Sequence, residues 1–225
     1  MDIHKPKPWH GGREFLKEIG TIVIGVLIAL GAEQAVEWLH WRQQAVETRE
    51  TLHAELARNL GVLEVLRLQD ACADQRLSLL DAWADGRARV VSRNLAAVEN
   101  RTLIPSLRFT AWEVAKSGSV ANHMPISDRL LYGDLYDRLG TQTANLLWEK
   151  DAWRQLSRYA GKVDLNPDEA RRLKEDLGMI RSSTAARSYN LPDFEQRFQA
   201  LGIKPKLPQF PPGVAGFPDL CKPPN

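Results

Sequence analysis

Histidine, cysteine, serine and the carboxylates carry most acid–base, nucleophilic and metal chemistry, and in this chain they are thinly spread. The five histidines are His4, His10, His40, His53 and His123. His53 and Glu55 come nearest to a metal-ligand pair, but they lack the His-Glu-x-x-His spacing that sets two imidazoles on one helix face. There is neither a glycine-rich phosphate loop nor a Gly-x-Ser-x-Gly elbow. The densest grouping runs from Trp112 to His123, where an indole, a Ser117-Gly118-Ser119 turn and an imidazole share one segment. A tryptophan so placed more often anchors a helix end in a core than serves a binding or catalytic site. The sequence therefore predicts no catalytic residue, no cofactor and no metal.

Two further sets of reactive side chains have specific readings. Glu18, Glu33 and Glu37 lie in or beside an apolar run, where a carboxylate is costly unless it reaches water, is protonated or finds a partner. They suit a proton relay in an ion-coupled complex, or headgroup depth at the two ends of a membrane span; Glu18 and Glu33 flank the run, so headgroup depth is expected. Cys72 and Cys221 are the only cysteines and form neither a Cys-x-x-Cys nor a zinc pattern. In an oxidising compartment the pair is expected to form a disulfide, against the alternative of two buried thiols. Closing a loop of about 150 residues is worth roughly 4–5 kcal/mol in the chain-entropy model.

The element that positions the glutamates is the run from Ile19 to Ala32, which contains no charge. It falls short of the roughly 20 apolar residues that a span needs. Phe15 and Leu16 before it, and Val36 and Leu39 after it, extend it, and Lys17 can snorkel. Trp9 on one side, with Trp38 and Trp41 on the other, are placed as interface anchors. Phe15 to Trp38 covers roughly 35 Å as a helix, which is enough to cross a bilayer. A cleaved signal peptide ending near Ala29-Leu30-Gly31, or a buried core helix, would share parts of this pattern. Against cleavage, no proline occurs between Pro8 and Pro105, and Gly61 is the one glycine between Gly31 and Gly86. One helix should thus continue from the membrane into the soluble part, with Gly61 as the place for a bend.

Orientation follows from Lys5, Lys7, Arg13 and Lys17 before the run, against Arg42 and Arg49 after it. The N-terminus is expected in the cytoplasm and the rest in the periplasm of a Gram-negative cell. On the helix itself Thr21, Gly25, Ala29 and Ala32 share one arc. Small residues four apart let two helices approach closely, so this face is expected to mediate homo-oligomerisation.

The 225 residues, 44% hydrophobic, suffice for one packed domain plus a membrane element. Net charge is +2 with no basic block, which argues against a nucleic-acid partner. Past the membrane the periodicity is helical, and an all-α antiparallel bundle is expected. Leu52, Leu56, Leu60, Leu63, Leu66 and Leu77 share one face of the first long helix, and Val65, Leu68, Cys72 and Leu79 a second, implying neighbours on both sides. That helix should end at Asp85-Gly86. Residues 87–107 read as a connection with room for a short helix, followed by a brief helix from Phe109 to Lys116. Ser127 or Asp128 should cap a helix reaching Tyr159, and Asn166-Pro167-Asp168-Glu169 starts another running to about Ser188. Pro192 should kink it or open a separate short helix. Residues 204–225 hold seven prolines and should be extended, strapped along the bundle by Leu207, Phe210, Phe217 and Leu220 rather than free as a proline-rich ligand. The segments are 1–14 cytoplasmic, 15–39 transmembrane, 40–203 bundle and 204–225 tail.

The stretch from Glu14 to Gln34 resembles the N-terminal segment of uncharacterised single-span inner-membrane proteins of proteobacteria. Thr110-Ala111-Trp112 through Gly118, with Met124-Pro125 and Tyr132 to Tyr136, is similar to a pattern of the same group. The resemblance implies an inner-membrane location and brings no activity with it. The expected function is a non-enzymatic, oligomerising interaction or scaffolding protein with the lipid bilayer and periplasmic or membrane proteins as partners. An accessory subunit of an ion-coupled complex, using an intramembrane glutamate, is the alternative, and a secreted helical domain freed by signal cleavage is the third.

Overall fold

A computed structural model describes residues 11–88 and 106–208, with the side chains of residues 71 and 72 excepted. Among the described residues the protein is all-α. Helix α1 is Gly12–Ala84, α2 is Thr110–Ser117, α3 is Ile126–Gln155 and α4 is Pro167–Ala200. A 3-10 turn, Ser119–His123, joins α2 to α3, and another, Leu156–Tyr159, extends α3.

Helix α1 has 73 residues, roughly 110 Å of unbroken helix. No proline interrupts it, and it stops where Gly86 takes the left-handed conformation at φ 69°. The helix is apolar and long enough near the N-terminus to cross a membrane. Its apolar part has no neighbours: every residue from Thr21 to His40 is exposed, including Leu27 at 62% and Ile28 at 67%.

From Leu52 onward α1 is packed, and the packing follows a 4–3 alternation. Buried positions on α1 include Leu52, Leu56, Asn59, Leu63, Leu66 and Asp70. On α3 the series is Tyr132, Leu135, Leu139, Gln142, half-buried Leu146 and Glu149, and on α4 Leu177, Ile180, Thr184, Arg187, Leu191 and Phe194. An average step of 3.5 residues is the spacing that keeps one seam of a helix against its partners in a coiled coil. Cross-links fix the directions. Arg49 to Asp128 and His53 to Tyr132 run α1 and α3 parallel, while Asp70 to Arg187 and Asp85 to Lys174 run α4 against α1. Segment α2 and its 3-10 turn lie along the lower part of α1.

Several expectations change. Asp128 does not cap α3: the N-cap is Pro125, and the Asp128 carboxylate accepts from Arg49 Nη2 at 2.6 Å. The capping box at Asn166 does form, with the Asn166 side chain accepting from the Glu169 amide. Helix α4 does not end near Ser188 but runs through Pro192 to Ala200, because Leu191, Phe194 and Phe198 are buried on both sides of the proline and hold it in register. Leu68 and Leu79 are exposed, at 44% and 49%, while Val65 is buried, so the second apolar face of α1 is covered only in part.

Gly61 lies within the unbroken helix and serves as a place of close approach. A Cβ there would collide with the carbonyl of Lys206, whose amide donates to the Ala57 carbonyl at 2.8 Å. The extended chain after α4 is thus strapped to α1 through its backbone and through buried Ile203, whereas Leu207 is exposed. Phe210, Phe217 and Leu220 lie outside the described residues.

Candidate functional site

The expected oligomerisation face, Thr21, Gly25, Ala29 and Ala32, is open along its length. Nothing lies within 4 Å of a Cβ built on Gly25, and the Thr21 hydroxyl donates to its own helix at Lys17. Glu18 and Glu33 are exposed on this lone helix. Glu37 accepts a hydrogen bond from Trp41 Nε1 at 3.2 Å.

The tryptophans divide in role. Trp38 is exposed and carries the Arg42 guanidinium 5.3 Å from its ring centroid, a cation–π pair that turns a charge outward beside an aromatic plane. Trp41 is half-buried, and the His123 ring stacks on it at 4.1 Å with 8° between planes. This stack is the first contact that the bundle makes as α1 leaves its unaccompanied stretch. Trp9 lies outside the described residues, as does the Cys72–Cys221 pairing.

Residues singled out for chemistry are drawn apart into packing roles. His53 bonds to the Tyr132 hydroxyl at 2.8 Å, while Glu55 accepts from the Tyr136 hydroxyl at 2.9 Å and from the Ala111 amide. Burial, and then the Arg49 guanidinium, hold the His53 imidazole below its ordinary value. Burial, and then Glu55, push the Tyr136 phenol up. Trp112 stacks on Tyr136 at 5.6 Å and 6° and lies beside Gly133. Trp112 and His123 therefore face different neighbours and form no joint site. Among the described residues no group of three or more His, Cys, Asp or Glu could hold a metal.

An open groove of about 920 Å³ runs between α1 and α2 from Trp41 to Arg58 and Arg108. Arg58 donates to the Ser106 carbonyl, and burial, with Arg108 next, holds its guanidinium below the ordinary value.

The most concentrated chemistry was not singled out from the sequence. Arg187 bonds to both Asp70 and Glu149 at 2.6 Å in the middle of the bundle, where two apolar clusters meet. Ser183 donates to the Asn145 carbonyl, and Trp153 Nε1 to Glu149. Burial works against the Arg187 charge, but Glu149 and Asp70 more than offset it and hold the guanidinium above its usual value. The signal was present as charges standing at seam positions of the 4–3 pattern, where apolar residues are the rule. Polar and charged groups at seam positions are one known device for setting helix register.

No family model matches this chain, and no curated protein or solved structure does either.

Proposed function

We propose that this protein is an inner-membrane anchor whose α1 crosses the bilayer once, N-terminus in the cytoplasm, and carries a periplasmic helical bundle that serves as an interaction or scaffolding module. One observation carries this reading: from Thr21 to His40 α1 is exposed without exception, and bundle contacts begin at Trp41. About 20 residues centred on the charge-free run from Ile19 to Ala32 span roughly 30 Å, the thickness of a hydrocarbon layer. A lone helix baring Ile22, Ile24, Leu27 and Ile28 to water would be a large apolar patch. Lipid removes that cost. The continuity of α1 through Ala29, Leu30 and Gly31 to Ala84 favours an anchor over a cleaved leader, since cleavage there would cut a helix in mid-course. The excess of Lys and Arg before the run supports the orientation, and the resemblance to single-span proteobacterial proteins agrees with the location.

The open face of Thr21, Gly25, Ala29 and Ala32 supports homo-oligomerisation in the membrane. The binding of His53, Glu55 and Trp112 into structural contacts supports a non-enzymatic role.

Fractionation tests the anchor. The full chain should stay in the membrane pellet through an alkaline carbonate wash, and a chain trimmed near Gly31 in the soluble periplasmic fraction overturns the reading. Gly25→Ile with Ala29→Ile should reduce chemical cross-linking between copies in the membrane without changing the amount inserted. Proteins that co-purify in mild detergent then identify the partners of the bundle.

A further inference from the structure

Chain direction places one part of the bundle nearest the membrane. Ala111 bonds to Glu55 and His123 stacks on Trp41, so the segment from α2 through the 3-10 turn descends along α1 toward its apolar end before α3 climbs away. The turn Ser119–His123 is therefore the lowest point of the bundle. A hydrocarbon layer of about 30 Å centred on the charge-free run takes up about 20 residues of helix. A headgroup layer of roughly 5–8 Å beyond it ends within a residue or two of Trp41. Ser119, Asn122 and His123 are exposed at that level, with half-buried Val120 and Ala121 between them. Three residues before Trp41, Trp38 with Arg42 over its ring presents the aromatic and cationic pair suited to the same layer.

We propose that the turn Ser119–His123 rests on the phospholipid headgroups of the outer leaflet and, through the His123–Trp41 stack, forms a second point of attachment beside the span. The inference rests on the membrane-crossing reading of α1 and adds to it. A lone helix leaves its cargo free to tilt and to swing about the helix axis. Contact at the turn, displaced sideways from α1, removes both freedoms and gives the bundle one fixed side toward the bilayer. The headgroup layer accepts what the turn offers: serine, asparagine and imidazole groups that can donate hydrogen bonds to phosphate oxygens, and two small apolar side chains.

The test is photo-cross-linking of the full chain in vesicles of phosphatidylethanolamine and phosphatidylglycerol carrying a radiolabelled phospholipid. Benzoylphenylalanine is introduced at Asn122, at Leu27 and at Ala160, all exposed positions. Ala160 lies beside Tyr159, which packs on Trp83, about 60 Å further along α1 than Trp41. Expected are lipid adducts at Leu27 and at Asn122, the latter roughly tenfold above Ala160, as the distance from the bilayer implies. An adduct at Leu27 with Asn122 no higher than Ala160 overturns the docked turn and leaves the span standing. Absence of adducts at all three positions, with the chain washed from the vesicles, overturns the span itself. A second probe at Ser119 should repeat the Asn122 result; adducts at neither turn position, beside one at Leu27, reject the proposal.

Discussion

Arg187 donates through Nη1 to Glu149 Oε2 at 2.6 Å, with both side chains 2% exposed, and its other arm holds Asp70. The three charges come from three helices at one level of the seam. Taking charges out of water is costly, so such a set stabilises only when complete. Arg187→Leu removes the cation that both buried carboxylates share and should cost about 3–5 kcal/mol. Replacing all three, Asp70→Leu, Glu149→Leu and Arg187→Leu together, should recover most or all of that loss. Chemical unfolding of the full chain in detergent, followed by circular dichroism, measures both. A triple variant as unstable as the single one would contradict this account.

The strap at Gly61 sets two effects of opposite sign against each other. Alanine in a helix interior is favoured over glycine by about 1 kcal/mol. At this position, however, its Cβ would strike the Lys206 carbonyl, a backbone atom that cannot turn aside as a side-chain tip can. Gly61→Ala is therefore expected to be destabilising, by about 1–3 kcal/mol for overpacking. Hydrogen exchange should show the Lys206 amide losing its protection as the bond to Ala57 opens. Unchanged protection together with higher stability would refute the close approach.

The His53 imidazole titrates lower in the folded protein than its ordinary value of 6.5, through burial and then Arg49, with Asp128 opposing. As the pH falls through 6.5 the unfolded chain takes up the proton first, so stability present at higher pH is lost toward the folded value. Unfolding free energy should accordingly drop as the pH is lowered below about 7. His53→Gln, which keeps a polar group facing Tyr132, should flatten that part of the profile. An identical slope in the variant would assign the proton uptake elsewhere.

At the start of α4, Asn166 accepts from the Glu169 amide and Glu169 accepts from the Asn166 amide. Asn166→Ala removes one half of this reciprocal cap and should cost about 1 kcal/mol. Asn166→Asp should be nearly neutral, since aspartate caps as well. Thermal unfolding of the two variants side by side makes the comparison.

The helices and the unaccompanied apolar stretch were legible in the sequence because both depend on local properties. Absent prolines let α1 run, a run without charges marks its unaccompanied apolar part, and Asn166-Pro167 with two acids starts α4. The end expected near Ser188 misled, since whether a helix stops before a proline depends on whether neighbouring burial, here Leu191 and Phe194, holds the turn together. Leu68 and Leu79 misled for the same reason: periodicity reports which residues share a face, not whether another element covers it.

Other features were decided only in three dimensions. His53 and Glu55, two residues apart, are sent to different tyrosines; Trp41 and His123, 82 positions apart, end as one stack. Gly61 acquires its meaning from Lys206, and Arg187 from Asp70 and Glu149. Hydrogen bonding, ion pairing and steric contact act over a few ångströms and take no account of distance along the chain. A local pattern therefore determines the helices, while their alignment alone determines which polar groups meet.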